Sequence, residues 1–432
     1  MIRPGIVLLL ISLLVSGCVS PPTPGADTDL LAAEAGADPA HALALMRQQE
    51  ERIAHKPFLP GNRADVLVNG PASFAALADA INSAQIRIDM ESYQFDQQAG
   101  GRFSDLLLAA RLRGVAVNLI YDGWGTFHTP RSVFDRLRQG GVNLLEYNPL
   151  ALNDRVGLNL NKRDHRKLLC VDGKVAITGG VNITHVYENA PDQPGRKLPG
   201  PPDAAAWRDT DVRVEGPVVA QFEHYFMKTW QDQHGPPLAS PPPTPAVQKG
   251  DLLVQAIDGA PDNGHPLIYR TLLSAIALSR HSVHLTTGFF APTPDLARAL
   301  REAAGRGVDV QIVVPSRSTS DAALKAGRAK YEDLLEAGVH IHERLYRVLH
   351  AKTAVIDGAW SAIGLSNLDW RSVVWNNEID AIIIDKGFGG RMETLFAHDV
   401  AASRTIDLAT WRRRSLIERL DEWRASLFQS LL

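Results

Sequence analysis

Apolar positions in this 432-residue chain repeat one plan twice. In the first half a helical spacing runs from Pro71 to Ala84, followed by the alternating stretch Ile86–Met90, which reads as a strand. A second helical pattern covers Phe103 to Arg113, then Gly114 and the apolar strand Val115–Tyr121. A third helix, Ser132–Gln139, stops at Gly140-Gly141 before the strand Val142–Glu146. The second half takes the same steps. Helix Leu267–Ser279, strand His281–Gly288, helix Asp295–Ala304, strand Val308–Val314, helix Ala322–Glu336 and strand Val339–Glu343 follow in order. Strands alternating with helices predict an α/β fold of βαβ units, with a largely parallel sheet in each half.

Proline marks the seams. Gly235-Pro236-Pro237, Pro241-Pro242-Pro243 and Pro245 exclude a helix or central strand and predict a surface linker. A second proline-rich stretch, Pro191 to Pro202, reads as a loop inserted in the first half. The N-terminus is separate again. Arg3 precedes a ten-residue apolar run, Ile6–Val15, too short to span a bilayer at about 20 residues, so it reads as a signal peptide. The division expected is residues 1–17 as signal peptide, 18–50 as tether, 51–240 as first domain, 241–250 as linker and 251–432 as second domain.

Composition narrows the class. Hydrophobic residues make up 45 %, charged residues 22 %, and the net charge is −3, a globular profile that lacks the basic footprint of a dedicated nucleic-acid binder. No nucleic-acid partner is expected. The cysteines are Cys18 and Cys170, the latter inside an apolar strand, where it acts as a small hydrophobe.

Chemistry concentrates in a duplicated motif. The first half carries His165, Lys167 and Asp172 in HRKLLCVD, and the second carries His350, Lys352 and Asp357 in HAKTAVID. Six residues intervene before Gly179 and Gly364, with Asn182 and Asn367 three further on. The two sets superpose without a gap. Residues i and i+2 of a strand face one side, so each histidine and lysine point together into one cleft. A lysine cation with neutral amide donors beside a histidine makes an oxyanion site suited to phosphate. A metal is disfavoured, because each histidine has a cationic neighbour and no further ligand stands at metal spacing.

These paired motifs resemble those of the phospholipase D superfamily across roughly residues 65 to 432. Asn367-Leu368-Asp369-Trp370-Arg371-Ser372, Asn376-Asn377-Glu378 and the run Leu349–Asp357 resemble bacterial cardiolipin synthases. The resemblance implies two similar α/β/α sandwich domains related by a pseudo-twofold axis, sharing one site without metal or cofactor. It implies double displacement, with His165 as nucleophile forming a phosphohistidine and His350 as acid and base, an order that the symmetry leaves open. Glu378 sits where the family has a glutamate that orients a histidine. The repeat then offers Asp209 as its equivalent, Asp209-x-Asp211 matching Glu378-x-Asp380. Gly180 stands where relatives carry serine; Ser366 is the candidate to supply the missing hydroxyl to the phosphate.

Val15-Ser16-Gly17-Cys18 resembles a bacterial lipobox, implying lipidation of Cys18 and a periplasm-facing chain anchored in the cell envelope; an ordinary signal peptide carrying a cysteine is the alternative. A phospholipid membrane surface is the expected partner. The expected activity is transfer of a phosphatidyl group to a phospholipid hydroxyl, phosphatidylglycerol being donor and acceptor. Hydrolysis by a phospholipase D or periplasmic nuclease is the alternative, and a non-enzymatic lipid-binding protein stands behind both. At the C-terminus, Trp411-Arg412-Arg413-Arg414 precedes Leu416, Leu420, Trp423, Leu427 and Leu431 at helical spacing. That stripe is expected to pack against the domain, with contact to anionic lipid as the other placement.

Overall fold

The computed structural model describes residues 38–150, 162–191, 206–238, 247–259, 266–364, 367–369, 372–373 and 375–427. Cys18, Ser366, Leu431, the signal peptide and most of both proline-rich stretches lie outside them. The first half runs α1 (Pro39–Ala54), β1 (Leu59–Val68), α2 (Asn69–Ser83), β2 (Arg87–Ser92), α3 (Gln98–Leu112), β3 (Ala116–Asp122), α4 (Arg131–Gln139), β4 (Asn143–Tyr147), β5 (Arg163–Asp164), β6 (Lys167–Val171), β7 (Val175–Gly179), β8 (Thr210–Glu215) and α5 (Val219–Asp232). The second runs β9 (Leu252–Asp258), α6 (Leu267–Leu278), β10 (Ser282–Thr286), α7 (Pro294–Gly305), β11 (Asp309–Pro315), α8 (Asp321–Arg328), α9 (Tyr331–Glu336), β12 (His340–Arg344), β13 (Thr353–Ile356) and β14 (Trp360–Ile363). It closes with β15 (Asn376–Asn377), β16 (Ile379–Ile384), α10 (Lys386–Ala401), β17 (Ser403–Thr405), α11 (Leu408–Arg412) and α12 (Leu416–Ser426).

Both halves have one topology. Strand order is β1-β8-β7-β6-β2-β3-β4 in the first and β9-β16-β14-β13-β10-β11-β12 in the second, with β17 added beside β12. Antiparallel pairing of β1 with β9 joins them into a continuous 15-stranded sheet. Alternate residues of the motif strand β6 enter different cores: Leu169 and Val171 pack beneath α2, α3 and α4, while Leu168 and Cys170 join a core with α5 and α10 that draws on both halves. Burial on both faces accounts for the unbroken apolar run in that strand.

The sheet is not largely parallel. Among the described residues, only β2-β3, β3-β4, β10-β11 and β11-β12 pair in parallel within it; the remaining ladders are antiparallel. The reason lies in a turn signal within the motif itself. Asp172-Gly173 and Asp357-Gly358 both have positive φ, closing tight hairpins β6–β7 and β13–β14, as the type I′ turn requires. The Asp172 carboxylate then accepts hydrogen bonds from the N–H groups of Gln85, Ile86 and Arg87 at the start of β2, at 2.8–2.9 Å. Asp357 does the same for Arg280, His281 and Ser282 at the start of β10. Both aspartates thus sit at the end of the motif strand away from the histidine, and the expectation that they take part in the chemistry is replaced by a tie between strands.

Three further readings change. Residues 39–50, expected as tether, belong to α1, started by the Asp38 side chain with Pro39 in its first turn. Leu45 and Met46 of α1 are buried in the core of the second half, and Trp360 Nε1 donates to Glu50 at 2.7 Å. The helix expected over 322–336 breaks between α8 and α9, where Gly327 lies so close to the Phe290 carbonyl that a Cβ would fall 1.9 Å from it. Finally, the C-terminal stripe does not pack against the domain, since Leu416, Ile417, Leu420, Trp423 and Leu427 are all exposed.

Asp172→Ala and Asp357→Ala each leave three strand N–H groups without their acceptor, and a loss of about 2–4 kcal/mol is expected from unpaired donors of this kind. Urea unfolding should show the drop, while turnover per folded molecule stays within about twofold of the parent.

Candidate active site

His165 lies just before β6 and His350 just before β13, at the edge of the sheet where the parallel strands β2 and β10 end. Ligands of α/β sheets commonly bind at that edge. Both imidazoles line one cleft of about 350 Å³, with Asn182, Asn367, Arg163 and Trp207 also on its walls. The spacing of the motif brings these groups together.

The pairing is crossed. His165 Nδ1 lies 2.9 Å from Glu378 Oε1 of the second half, and His350 Nδ1 lies 2.7 Å from Asp209 Oδ2 of the first. Backbone contacts repeat the exchange: His165 N–H donates to Asn377 O at 2.9 Å, and His350 N–H donates to Arg208 O at 2.8 Å. Asn377 and Arg208 each precede the carboxylate, so one local geometry serves both sides. β5 and β15 pair in parallel to hold the His165 side, and an Arg208–Leu349 bridge holds the other. Arg166 reinforces the seam, donating to Glu378 O at 3.2 Å and pairing with Asp258 of the second half.

Glycine at 180 follows from this arrangement. A Cβ there would fall 2.0 Å from Asp209 Oδ1, so the carboxylate occupies the place that a side chain would take. The second acids of the two Asp/Glu-x-Asp pairs stand apart from the imidazoles. Asp211 accepts the Val181 N–H at 3.0 Å, and burial with the neighbouring Asp209 charge pushes its carboxyl up to about 7. Burial likewise drives Asp380 well above the usual carboxylate range.

Each lysine folds back on its own histidine. Lys167 Nζ donates to His165 O at 2.6 Å, and Lys352 Nζ donates to His350 O at 2.7 Å while lying 3.1 Å from both ring nitrogens. Burial lowers Lys167 to about 7 and also lowers Lys352. The two imidazoles differ in their partners' charge. Burial pushes Glu378 up to about 7 against the pull of Lys167 and Lys352. Burial also opposes ionisation of Asp209, but His350, Lys352 and the Thr210 N–H outweigh it and hold that carboxyl below its ordinary value. His350 falls to about 4, through burial and Lys352, against Asp209. An anion placed between the lysines removes part of that opposition and raises His350.

Sequence reasoning missed Tyr187, whose hydroxyl donates to Asp209 Oδ2 at 2.9 Å and lies 3.0 Å from His350 Nδ1. It also missed Tyr93, whose ring stands edge-on to His165 at 4.7 Å and beneath the Lys167 ammonium. Neither belongs to the duplicated motif, and no spacing in the chain marks them. Arg163 was overlooked too, although it lies two residues before His165 and its buried side chain donates to Asn148 O at 3.1 Å.

Gly180→Ala should drive the Asp209 carboxylate off His350. Turnover is expected to fall at least tenfold with the folded state retained, which circular dichroism and steady-state kinetics together would check.

Comparison with known proteins gives the family. The family model described as "Cardiolipin synthase, PLD-like domain" matches residues 77–189 and 272–400. A cardiolipin synthase of Geobacillus thermodenitrificans is 30 % identical over 88 % of this chain and 74 % of its own length. Cardiolipin synthase A of Serratia proteamaculans is 31 % identical over 86 % of this chain and 76 % of its own. Among solved structures, phosphatidylserine synthase of Haemophilus influenzae shares the fold with a TM-score of 0.64 at 13 % identity, covering 90 % of this chain and all of that one. The chain therefore belongs to the phospholipase D superfamily, within its cardiolipin synthase-like branch of phosphatidyltransferases.

Proposed function

We propose that this protein transfers a phosphatidyl group from one phosphatidylglycerol to the hydroxyl of another, forming cardiolipin and releasing glycerol. The observation that carries it is the pair of imidazoles in one cleft, each held through Nδ1 by a buried carboxylate from the opposite half. A carboxylate on Nδ1 keeps the proton there and makes Nε2 the nitrogen that carries the lone pair. The Nε2 of one histidine attacks phosphorus, a P–N bond forms, and the P–O bond to the glycerol headgroup breaks. The other histidine gives its proton to the departing oxygen. It then takes the proton of the incoming hydroxyl as the new P–O bond forms and the P–N bond breaks.

We assign the first role to His165 and the second to His350. The ionised Asp209 favours an imidazolium at His350 once phosphate offsets the lysines. Glu378, with its carboxyl near 7, stabilises a cation at His165 less. Lys167, Lys352, Asn182 and Asn367 hold the phosphoryl oxygens, with Ser366 beside them in sequence. Glu378 and Asp209 act as positioning residues.

Labelled phosphatidylglycerol in liposomes, followed by lipid mass spectrometry, tests the reaction. Cardiolipin with free glycerol is the expected product; phosphatidic acid would replace transfer by hydrolysis, and an absence of product would sink both. His165→Ala and His350→Ala should each lower turnover by at least 10³-fold, a scale typical of losing the nucleophile or the proton carrier. Phospholipid trapped on His350 would reverse the two roles.

The pH dependence follows from Glu378 and Lys167. The ionised Glu378 is needed, so activity is present above about 7 and lost as pH falls through it. The charged Lys167 is needed as well, so activity declines as pH rises through about 7. A narrow bell in kcat/KM centred near pH 7 is expected, its limbs belonging to that interacting pair, and Glu378→Gln should flatten the acid limb and lower the rate.

Anchoring is part of the same proposal. Arg3, the apolar run Ile6–Val15 and the sequence Val15–Cys18 support a mature chain that begins at lipidated Cys18 and faces the periplasm. Mass spectrometry of the protein from envelope membranes should find a diacylglyceryl group on an N-terminal Cys18.

A further inference from the structure

Helix α12 is amphipathic with the wrong face outward. Ser415 caps it through a capping box with Glu418, so it begins as a well-formed helix. Its buried residue is the charged Glu422, which pairs with Arg414, while the Arg414 guanidinium lies over the Trp411 ring. Leu416, Leu420, Trp423 and Leu427 fall on one face at helical spacing, with Ile417 beside them, and these five are between 51 % and 80 % exposed. Arg413 and Arg424 are exposed around that face, and Arg419 beside it pairs with Glu332 of α9 at 3.2 Å. An apolar strip rimmed by cations is the pattern of a helix lying in a lipid headgroup layer.

Placement adds a second argument. α12 packs against α8, and Ser320 at the α8 N-cap and Ala323 within it line the cleft that holds both histidines. In the first half, the turn after β3 exposes Trp124 and Phe127, at 52 % and 65 %. That turn lies against the cleft residue Tyr93, since a Cβ on Gly125 would fall 2.0 Å from the Tyr93 carbonyl. β3 and β11 are equivalent strands of the two halves; the Trp124–Phe127 turn follows the carboxyl end of β3, and α8, on which α12 packs, follows that of β11. The cleft mouth thus carries outward-facing apolar side chains on both flanks, with arginines on one of them.

We infer that the α12 face and the Trp124–Phe127 turn form one docking surface for an anionic bilayer, which lays the cleft mouth on the membrane. This deepens the proposed function and rests on its lipid substrate, which cannot reach Nε2 of either histidine from a bilayer unless the mouth meets the headgroup plane. Bilayer contact would cover the apolar strip and place Arg413 and Arg424 among the phosphates.

The full chain is tested against vesicles of phosphatidylglycerol carrying brominated acyl chains, with brominated phosphatidylcholine vesicles as the neutral control. Tryptophan fluorescence should be quenched on the anionic vesicles and less on the neutral ones. Trp423→Phe and Trp124→Phe, which keep the apolar surface, should each remove a distinct share of that quenching. Replacing Leu416, Ile417, Leu420 and Trp423 together by serine alters only exposed positions. That variant should lose at least tenfold in kcat/KM on phosphatidylglycerol vesicles, yet stay within twofold of the parent on short-chain phosphatidylglycerol below its micellar concentration. Quenching that is unchanged in both phenylalanine variants, or full vesicle turnover by the serine variant, overturns the docking surface. So does self-association through this face, seen as a dimer in sedimentation that the serine variant abolishes, without tryptophan quenching. Quenching as expected with no transfer on either substrate form leaves the docking surface standing and removes the proposed reaction instead.

Discussion

Everything at the cleft depends on the exchange of carboxylates between the two halves. Glu378 reaches His165 and Asp209 reaches His350, and in each case the residue before the carboxylate also accepts the histidine's backbone N–H. Neither half holds both members of either pair. The joined sheet is what makes the exchange possible: β1 and β9 pair at its centre, and the core under α5 and α10 is built from both halves. Separating the halves would disrupt these contacts and leave charged groups without their partners.

Burying so much charge has a desolvation cost, and the cleft meets it by opposition of sign. Two lysines and two carboxylates surround two imidazoles, all nearly out of water. Burial lowers the lysines and raises Glu378, while Asp209 stays ionised because His350, Lys352 and the Thr210 N–H outweigh its burial. The result is a site whose charges are only loosely settled until an anion arrives. A phosphodiester bound as proposed would supply the missing negative charge and move His350 toward the protonated form. Identical motifs thereby acquire different electrostatics, since Asp209 has Tyr187 as an added donor and Gly180 gives it room.

Outward from the site, the same halves provide unequal rims. The first contributes a short turn with Trp124 and Phe127, and the second contributes α8 with α12 packed on it. The pseudo-symmetry therefore governs the strands and the motif, and relaxes in the connections at their carboxyl ends, as is usual where a scaffold carries function on loops.

Much was settled by sequence. The register of His165, Lys167, Gly179 and Asn182 against His350, Lys352, Gly364 and Asn367 is a constant offset, and a period-two strand leaves the histidine and lysine no choice but one side. The apolar runs named the buried strands, and the downstream acids Asp209 and Glu378 were reachable by aligning the repeat. Which acid served which histidine was not, because crossing depends on contacts about 140 and 213 residues apart that no local pattern encodes. The Asp172-Gly173 and Asp357-Gly358 turns were written in the chain yet were read as part of the chemistry, and only the strand ends they tie disclosed their work. The C-terminal stripe shows the limit most plainly. Helical spacing determines that Leu416, Leu420, Trp423 and Leu427 share a face, but the direction of that face is fixed by what Glu422 and α8 leave uncovered. Periodicity is a property of the backbone; burial is a property of the neighbours.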